Sequence, residues 1–335
     1  MHVAVIGAGL AGLTCARQLQ EQGNTVVVYE KSHAVSGRMS TRQNELGGFD
    51  HGAQYFTTTS PVFKKAVAQW TREGATAAWT PRLAIIDNAR VTMPSAAARR
   101  KQRWVAQPGM RSLGVHLAQD LDVRTAQQVR SIERMGKQWL LFVQSETVAI
   151  DATAGPFDAV VIAAPADQAK ALLAPLPKFA KQAAGAALAP CWTLMLAFPE
   201  SLNLPYDAAW VNGSRLGWIA QDASKPGRRP GEHWIAQASA AWSTEHLEDE
   251  PERAKEKLLK AFHEAAGTHV QPVFSAVHRW RYSQALQPLD SDCLWDKAAR
   301  VGACGDWFAA GLTGMGRIEN AYLSGAALAA CMAQD

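Results

Sequence analysis

Three short runs along the chain are apolar, rich in β-branched residues and free of polar interruptions: Val3–Ile6, Thr25–Tyr29 and the "AVVIAA" stretch from Ala159 to Ala164. Strands buried on both faces read this way, and they belong to parallel sheets covered by helices. Between the first two runs, Leu13, Ala16, Arg17, Leu19 and Gln20 keep helical spacing until Gly23-Asn24 ends the helix. The third run leads through Pro165 into another helical stretch, and Met110, Leu113, Leu117 and Leu121 share one helical face. From Asp122 to Ile150 the alternation is that of a β-hairpin, with Gly136 near its turn. Between Ala171 and about Gln287 the character changes. Trp192, Trp210, Trp218, Trp234, Trp242 and Trp280 accumulate among strand-like runs such as "CWTLMLAF" and "HWIAQASAAW". One surface helix stands out there, "EDEPERAKEKLLKAFHEAAG", acidic at its start and basic later, as the helix dipole favours. The pattern predicts a buried α/β sheet made by the two ends of the chain, interrupted by a segment built on an antiparallel sheet.

Composition alters this picture little. A chain of 335 residues that is 48% hydrophobic and 19% charged can bury a large core and is long enough for two domains. The net charge of +4 is mild, and the dense basic run holds Arg99, Arg100, Lys101 and Arg103. Such a run is usually a solvated face; its functional reading is a patch that attracts an anionic ligand. No nucleic-acid signature is present. Five cysteines, an odd number without a C-x-x-C pair, argue against a disulfide framework or a zinc site and fit a reducing cytosol. The N-terminus lacks the basic start of a signal peptide and no apolar stretch is long enough to cross a bilayer, so a cytoplasmic protein is expected.

The chemistry starts at the first turn. Gly7, Gly9 and Gly12 form G-x-G-x-x-G with Leu10 and Ala11 inside it, directly after a strand and opening a helix. Gly7 permits the tight turn, Gly9 lets backbone approach a pyrophosphate, and Gly12 lets the helix pack closely on the strand. Glu30, followed by Lys31, ends the second strand, where a carboxylate accepts hydrogen bonds from a ribose. With strands and acid in place, this is a dinucleotide site. Gly37-Arg38-Met39 follows at once, and a guanidinium there can reach a diphosphate. A second glycine-rich segment closes the chain, from Gly302 through Gly305-Asp306 to "GMGRIENAYLSG".

These elements together resemble the two-dinucleotide-binding region of FAD-dependent amine oxidases. "FDHGAQYFT", "PGM" at 108–110, "HRWRYS" at 278–283 and the closing "CGDWF…GRIENAYLSG" narrow the resemblance to the renalase-like branch of that superfamily, over nearly the whole chain. It implies an α/β FAD-binding domain of Rossmann-like type from residues 1–61, 104–170 and 288–335, with an α+β substrate domain on an antiparallel sheet from 62–103 and 171–287. It also implies that Gly52 and Ala53 let the flavin ring lie close and that Gln54 and Tyr55 present an amide and a phenol to ring or substrate. Val129 would pack backbone on the adenine, and Asp306 would bond hydroxyls near the ribityl and pyrophosphate. Arg317, Ile318 and Glu319 would open a helix whose free N–H groups face the ring. Trp280 and Tyr282 would form an opposing aromatic wall, unless Trp280 only packs the core.

The implied reaction is oxidation of 2- and 6-dihydroNAD(P) to NAD(P)+, with hydride passing to flavin N5 and oxygen reoxidising the flavin to give hydrogen peroxide. An oxidase or dehydrogenase for an amine or another small hydride donor, and a non-catalytic FAD-binding protein, are the alternatives. With no cysteine near "GLTGMGRIENAY", and Cys304 preceding Gly305-Asp306, FAD is expected to be non-covalent. Other chemistry recedes. "HEAAG" at 263–267 puts Gly267 where a metalloprotease needs its second histidine, no G-x-S-x-G elbow or Walker lysine exists, and no metal is expected. His51, inside "FDHGAQYF", is read as a packing or hydrogen-bonding residue before a catalytic one. Flavin chemistry needs no protein nucleophile.

Overall fold

The computed structural model describes residues 1–145, 152–312 and 317–334. The apolar runs form the centre of a six-stranded sheet in the order Leu294–Asp296, Val301–Ala303, Ala159–Ile162, His2–Ile6, Thr25–Tyr29, Asp122–Arg124. All neighbours are parallel except the edge pair Leu294–Asp296 and Val301–Ala303. Ile6 stands beside both Tyr29 and Ile162, and Ile162 beside Ala303. Four strands therefore stop at one level, and the loops after them share the carboxyl edge of the sheet, the place where open α/β sheets bind ligands.

Two helices lock this layer. Leu10–Glu21 and the last helix, Ile318–Ala333, cross with backbone nearly touching: a Cβ on Gly325 would lie 2.3 Å from the Ala11 carbonyl oxygen. The hairpin expected around Gly136 is present as Gln127–Met135 and Gln138–Ser145, joined by Ala152–Phe157 into a three-stranded antiparallel sheet. The part of that expectation reaching to Ile150 lies outside the described residues.

The tryptophan-rich segment forms a second, seven-stranded sheet in the order Phe274–Gln287, Ala187–Phe198, Glu232–Ala238, Leu216–Gln221, Ala208–Asn212, Leu83–Asp87, Arg90–Thr92. It is antiparallel except where Ala208–Asn212 runs parallel to Leu83–Asp87. Helix Pro251–Ala266 covers one face, packing Leu258, Ala261 and Phe262 against Trp192 and Trp234. The segment 62–103 divides between the two bodies of structure. Its strands Leu83–Asp87 and Arg90–Thr92 extend the seven-stranded sheet and Thr76–Trp79 pairs with Arg103–Ala106 in a separate two-stranded one, whereas helix Pro61–Arg72 packs Phe63 and Trp70 on Tyr322 of the last helix, 5.2 and 5.5 Å between ring centres. Ser60 caps that helix by accepting from the Phe63 N–H. Among the described residues no helix is long and apolar enough to cross a membrane.

Candidate active site

A cavity of about 1190 Å³ runs from the carboxyl edge of the parallel sheet to the near end of the seven-stranded one. That exceeds the roughly 300–1,000 Å³ typical for one drug-sized ligand. Its nucleotide end is made by the glycine turn. Gly7 adopts φ +109, and a side chain there would meet the Ala163 carbonyl at 2.8 Å. A Cβ on Gly9, by contrast, meets nothing within 4 Å, so backbone faces open cavity where a pyrophosphate needs to approach. A Cβ on Gly37, at φ +54, would lie 3.3 Å from the Gly9 Cα, so the loop that carries it is pressed on the turn. Gly12 is not on the cavity wall; its Cβ would sit 2.0 Å from the Gly7 carbonyl, which is the close helix-to-strand packing expected of it.

Glu30 is buried and fixed: its carboxylate accepts from the Ala8 and Ser32 N–H groups, both at 2.8 Å. Leu10, Ala11, Lys31, Met39 and Val129 join the same wall. Arg317, Ile318 and Glu319 line it from the last helix, while Gly314–Gly316 of the closing motif lie outside the described residues. Glu319 holds structure rather than open space, for its carboxylate accepts from the Thr59 and Ser60 N–H groups.

Arg38 and Asp306, 268 residues apart, meet here. The guanidinium donates twice to the carboxylate, at 2.9 and 2.6 Å, and also to the carbonyls of Tyr282 and Ser283. Two groups expected to hold different parts of one cofactor are thus neighbours on the cavity wall, where the Gly305 turn, the Gly37 loop and the strand carrying Tyr282 converge. The open backbone at Gly9, the fixed acid at Glu30 and the guanidinium at Arg38 fit an FAD.

The far end is aromatic. Trp280 stacks on His51 at 5.4 Å and 23°, and its indole N–H donates to the His51 carbonyl at 2.9 Å. His278 meets both rings edge-on, at 4.8 and 4.3 Å. Trp280 is therefore cavity wall, not core, and Tyr282, Ala53 and Tyr55 stand on the wall with it. Gln54 does not: its amide nitrogen donates to the Asp50 and Gly52 carbonyls and its oxygen accepts from Lys225, so it points into protein. Gly52 lies on the wall, but a Cβ there would meet the Arg38 carbonyl at 2.0 Å, so its smallness admits the Gly37-Arg38 loop.

Burial pushes the His51 and His278 rings down to about 4 from an ordinary 6.5, and Arg42 adds to the effect on both. Each histidine is thus neutral across the physiological range. An unfolded chain binds protons on these rings below about 6.5, whereas the folded one resists until about 4. Stability should therefore be full above pH about 6.5 and fall as pH drops toward about 4. Urea unfolding across that range checks this, and His51→Phe should flatten the decline; an unchanged slope would reject the assignment.

Behind the wall lies a buried charge network absent from the sequence reading. Lys225 donates to Asp50 at 3.2 Å and to Asp222, Arg228 donates to Asp50, and all four side chains are at most 4% exposed. Burial alone would raise the Asp50 carboxyl; Lys225, Arg228 and a hydrogen bond from Thr41 overcome it and hold the group down to about 2. Asp222 is pushed up by burial and by the Asp50 charge. Its carboxylate also accepts from the Asp50 N–H at 3.2 Å. The network rivets the Asp50–Tyr55 loop to the segment from Asp222 to Arg228. None of the five cysteines lines the cavity.

Comparison with known proteins gives two family matches. A model described as NAD(P)-binding Rossmann-like domain matches residues 5–70, and one described as flavin containing amine oxidoreductase matches residues 78–333. An L-amino-acid oxidase from Siganus canaliculatus is 37% identical over 65 residues, 19% of this chain and 12% of that protein. A 15-cis-phytoene desaturase from Synechococcus elongatus is 39% identical over 62 residues, 18% of this chain and 13% of the relative. The matched stretch is thus about an eighth of the length of these relatives. Among solved structures, a provisionally named protoporphyrinogen oxidase from Exiguobacterium sp. 255-15 superposes with a TM-score of 0.74, covering 99% of this chain and 98% of that one at 12% identity. At that identity the likeness is one of fold.

Proposed function

The chain belongs to the flavin-containing amine oxidoreductase family, with FAD as its cofactor, and from that premise we propose that it oxidises 2- and 6-dihydroNAD(P) to NAD(P)+. Bound FAD supplies the acceptor for a hydride and, through oxygen, the route for its two electrons to hydrogen peroxide. The balance is one dihydro ring, one oxygen molecule and one proton giving one NAD(P)+ and one peroxide. The observation that carries the reading is the character of the far wall. It offers flat rings at Trp280 and Tyr55 and two histidines held neutral, surroundings suited to a planar, uncharged ring.

Carboxylates on the cavity wall, among the described residues, are those of Glu30, Asp306 and Glu319. The first is bonded to amides, the second to Arg38 and the third to the Thr59 and Ser60 amides. None stands at the aromatic end to receive an ammonium, which weighs against an amine as the substrate. The protein's own part is to bind and orient. His51 anchors Trp280 through its carbonyl, and Gln237 donates to the Gly52 carbonyl at 2.7 Å, tying the wall loop to the sheet. Anaerobic mixing with the dihydronicotinamide isomers tests the reaction.

For the cofactor, the turn at Gly7 and Gly9 would take the diphosphate, Glu30 a ribose, and Arg38 with Asp306 the stretch toward the ring. Non-covalent attachment is proposed too, and acid precipitation should release FAD into the supernatant. Arg38→Ala should lose about 1.5–3 kcal/mol of charge-assisted bonding, weakening FAD retention roughly ten- to a hundredfold. Asp306→Ala should weaken it as well, because Arg38 loses the partner that orients it. Flavin-to-protein ratios after gel filtration measure both, and ratios equal to wild type would remove these residues from the cofactor site.

A further inference from the structure

Among the described residues the far wall also carries a buried positive charge without a counter-ion. Arg103 is 3% exposed and lines the cavity. Its guanidinium lies over the rings of Tyr55 and Trp210, 5.4 and 5.8 Å from their centres. Two of its nitrogens donate to the Lys101 and Ala98 carbonyls at 2.8 and 2.9 Å, and its Nε has no hydrogen-bond partner among the described residues. No carboxylate among them pairs with it. A buried cation without an anion is costly, and carbonyls and ring faces offset that cost only in part. Lys101, exposed, lines the same part of the cavity.

We propose that Arg103, with Lys101 at its side, is an oxyanion subsite that takes the diphosphate of the substrate while the aromatic wall takes its ring. The proposal rests on the dihydronicotinamide dinucleotide reading and specifies where that molecule's charge is recognised. Both residues come from the basic run 99–103, so that run is divided: Arg103 turns inward at the start of strand Arg103–Ala106, while Arg99 and Arg100 end the short exposed helix Ala96–Arg100. A guanidinium suits a phosphoryl group because its planar fork donates to two oxygens at once.

The test is calorimetric titration of the FAD-loaded protein with NAD+, with inorganic pyrophosphate and with nicotinamide, which has no phosphate. Wild type should bind all three, pyrophosphate competing with NAD+. Arg103→Gln should weaken NAD+ and pyrophosphate roughly ten- to a hundredfold and leave nicotinamide unchanged, and Arg103→Lys should recover part of the loss. Should Arg103→Gln fail to hold FAD, Lys101→Met, at an exposed position, should still cost pyrophosphate several-fold and nicotinamide nothing. Equal pyrophosphate affinity in wild type and variants would overturn the subsite, as would a parallel loss of nicotinamide binding. These titrations are independent of turnover, so a wild type that binds pyrophosphate through Arg103 but is not reduced by the isomers would fail the reaction and keep the subsite.

Discussion

Mixed without oxygen with 2- or 6-dihydroNAD(P), the FAD-loaded protein should lose its oxidised flavin absorbance rapidly, and ordinary 4-dihydroNAD(P)H should reduce it about a hundredfold more slowly. The difference follows from geometry. In the wall, Trp280 and Tyr282 stand on strand Phe274–Gln287 and His51 and Tyr55 on the loop that the Asp50 network fastens, so a ring held against it has little freedom to slide. The reacting carbon of the 4-isomer lies two ring positions from that of either other isomer, and a misplacement of about an ångström is already enough to cost a hundredfold. Primary amines should give no reduction, since among the described residues the far wall offers no carboxylate for an ammonium and it carries the buried guanidinium of Arg103. Readmitting oxygen should restore the oxidised spectrum and release one peroxide per isomer consumed. Fast reduction by an amine with none by the isomers would transfer the protein to the amine oxidases in the narrow sense. No reduction by any donor, with FAD tightly held, would leave a binding protein.

What could be read in the sequence is what neighbours in sequence decide. Val3–Ile6, Thr25–Tyr29 and Ala159–Ile162 announce buried strands because each run is apolar by itself, and Gly7, Gly9 and Gly12 announce their turn because each answers a separate local constraint. The return of the chain to the first sheet at Val301–Ala303 was legible for the same reason, through the glycine turn at Gly305-Asp306 that follows it. Orientation was not. Gln54 sits between two wall residues, Ala53 and Tyr55, yet faces away because Lys225 and the Asp50 carbonyl claim its amide. Phe63 and Trp70 carry the amphipathic spacing of any helix, and nothing local says that they dock on Tyr322 rather than on the seven-stranded sheet. The Asp50 network joins residues 172 to 178 positions apart, from "FDHGAQYF" and "QDASKPGRR", segments that look like ordinary polar loops. A signal existed only in part: an aspartate set between the rings of Phe49 and His51 needs a partner if it is buried.

That network sets the last expectation. Lys225→Met should lower stability by about 3–5 kcal/mol, because it leaves Asp50 and Asp222 buried as neighbours with one cation, Arg228, which pairs with Asp50. For a chain of this length that is a fall of about 4–7 °C in melting temperature. The damage should not be confined to stability. Asp50 accepts from Thr41 and the Met110 N–H, its own N–H donates to Asp222, and its carbonyl holds Gln54, so its displacement moves the loop that supplies Ala53 and Tyr55 to the cavity wall. Hydride transfer, which depends on that wall, should slow even in the fraction that remains folded and loaded with FAD. The double variant Lys225→Met with Asp222→Asn separates charge from shape. Removing the second carboxylate relieves the like-charge pair, so the double variant should recover more than 1 kcal/mol over Lys225→Met alone, a coupling well above the additivity error of distant sites. Additive losses, or a single variant as stable as wild type, would mean that these four charges do not act as one unit in fastening the loop to the sheet.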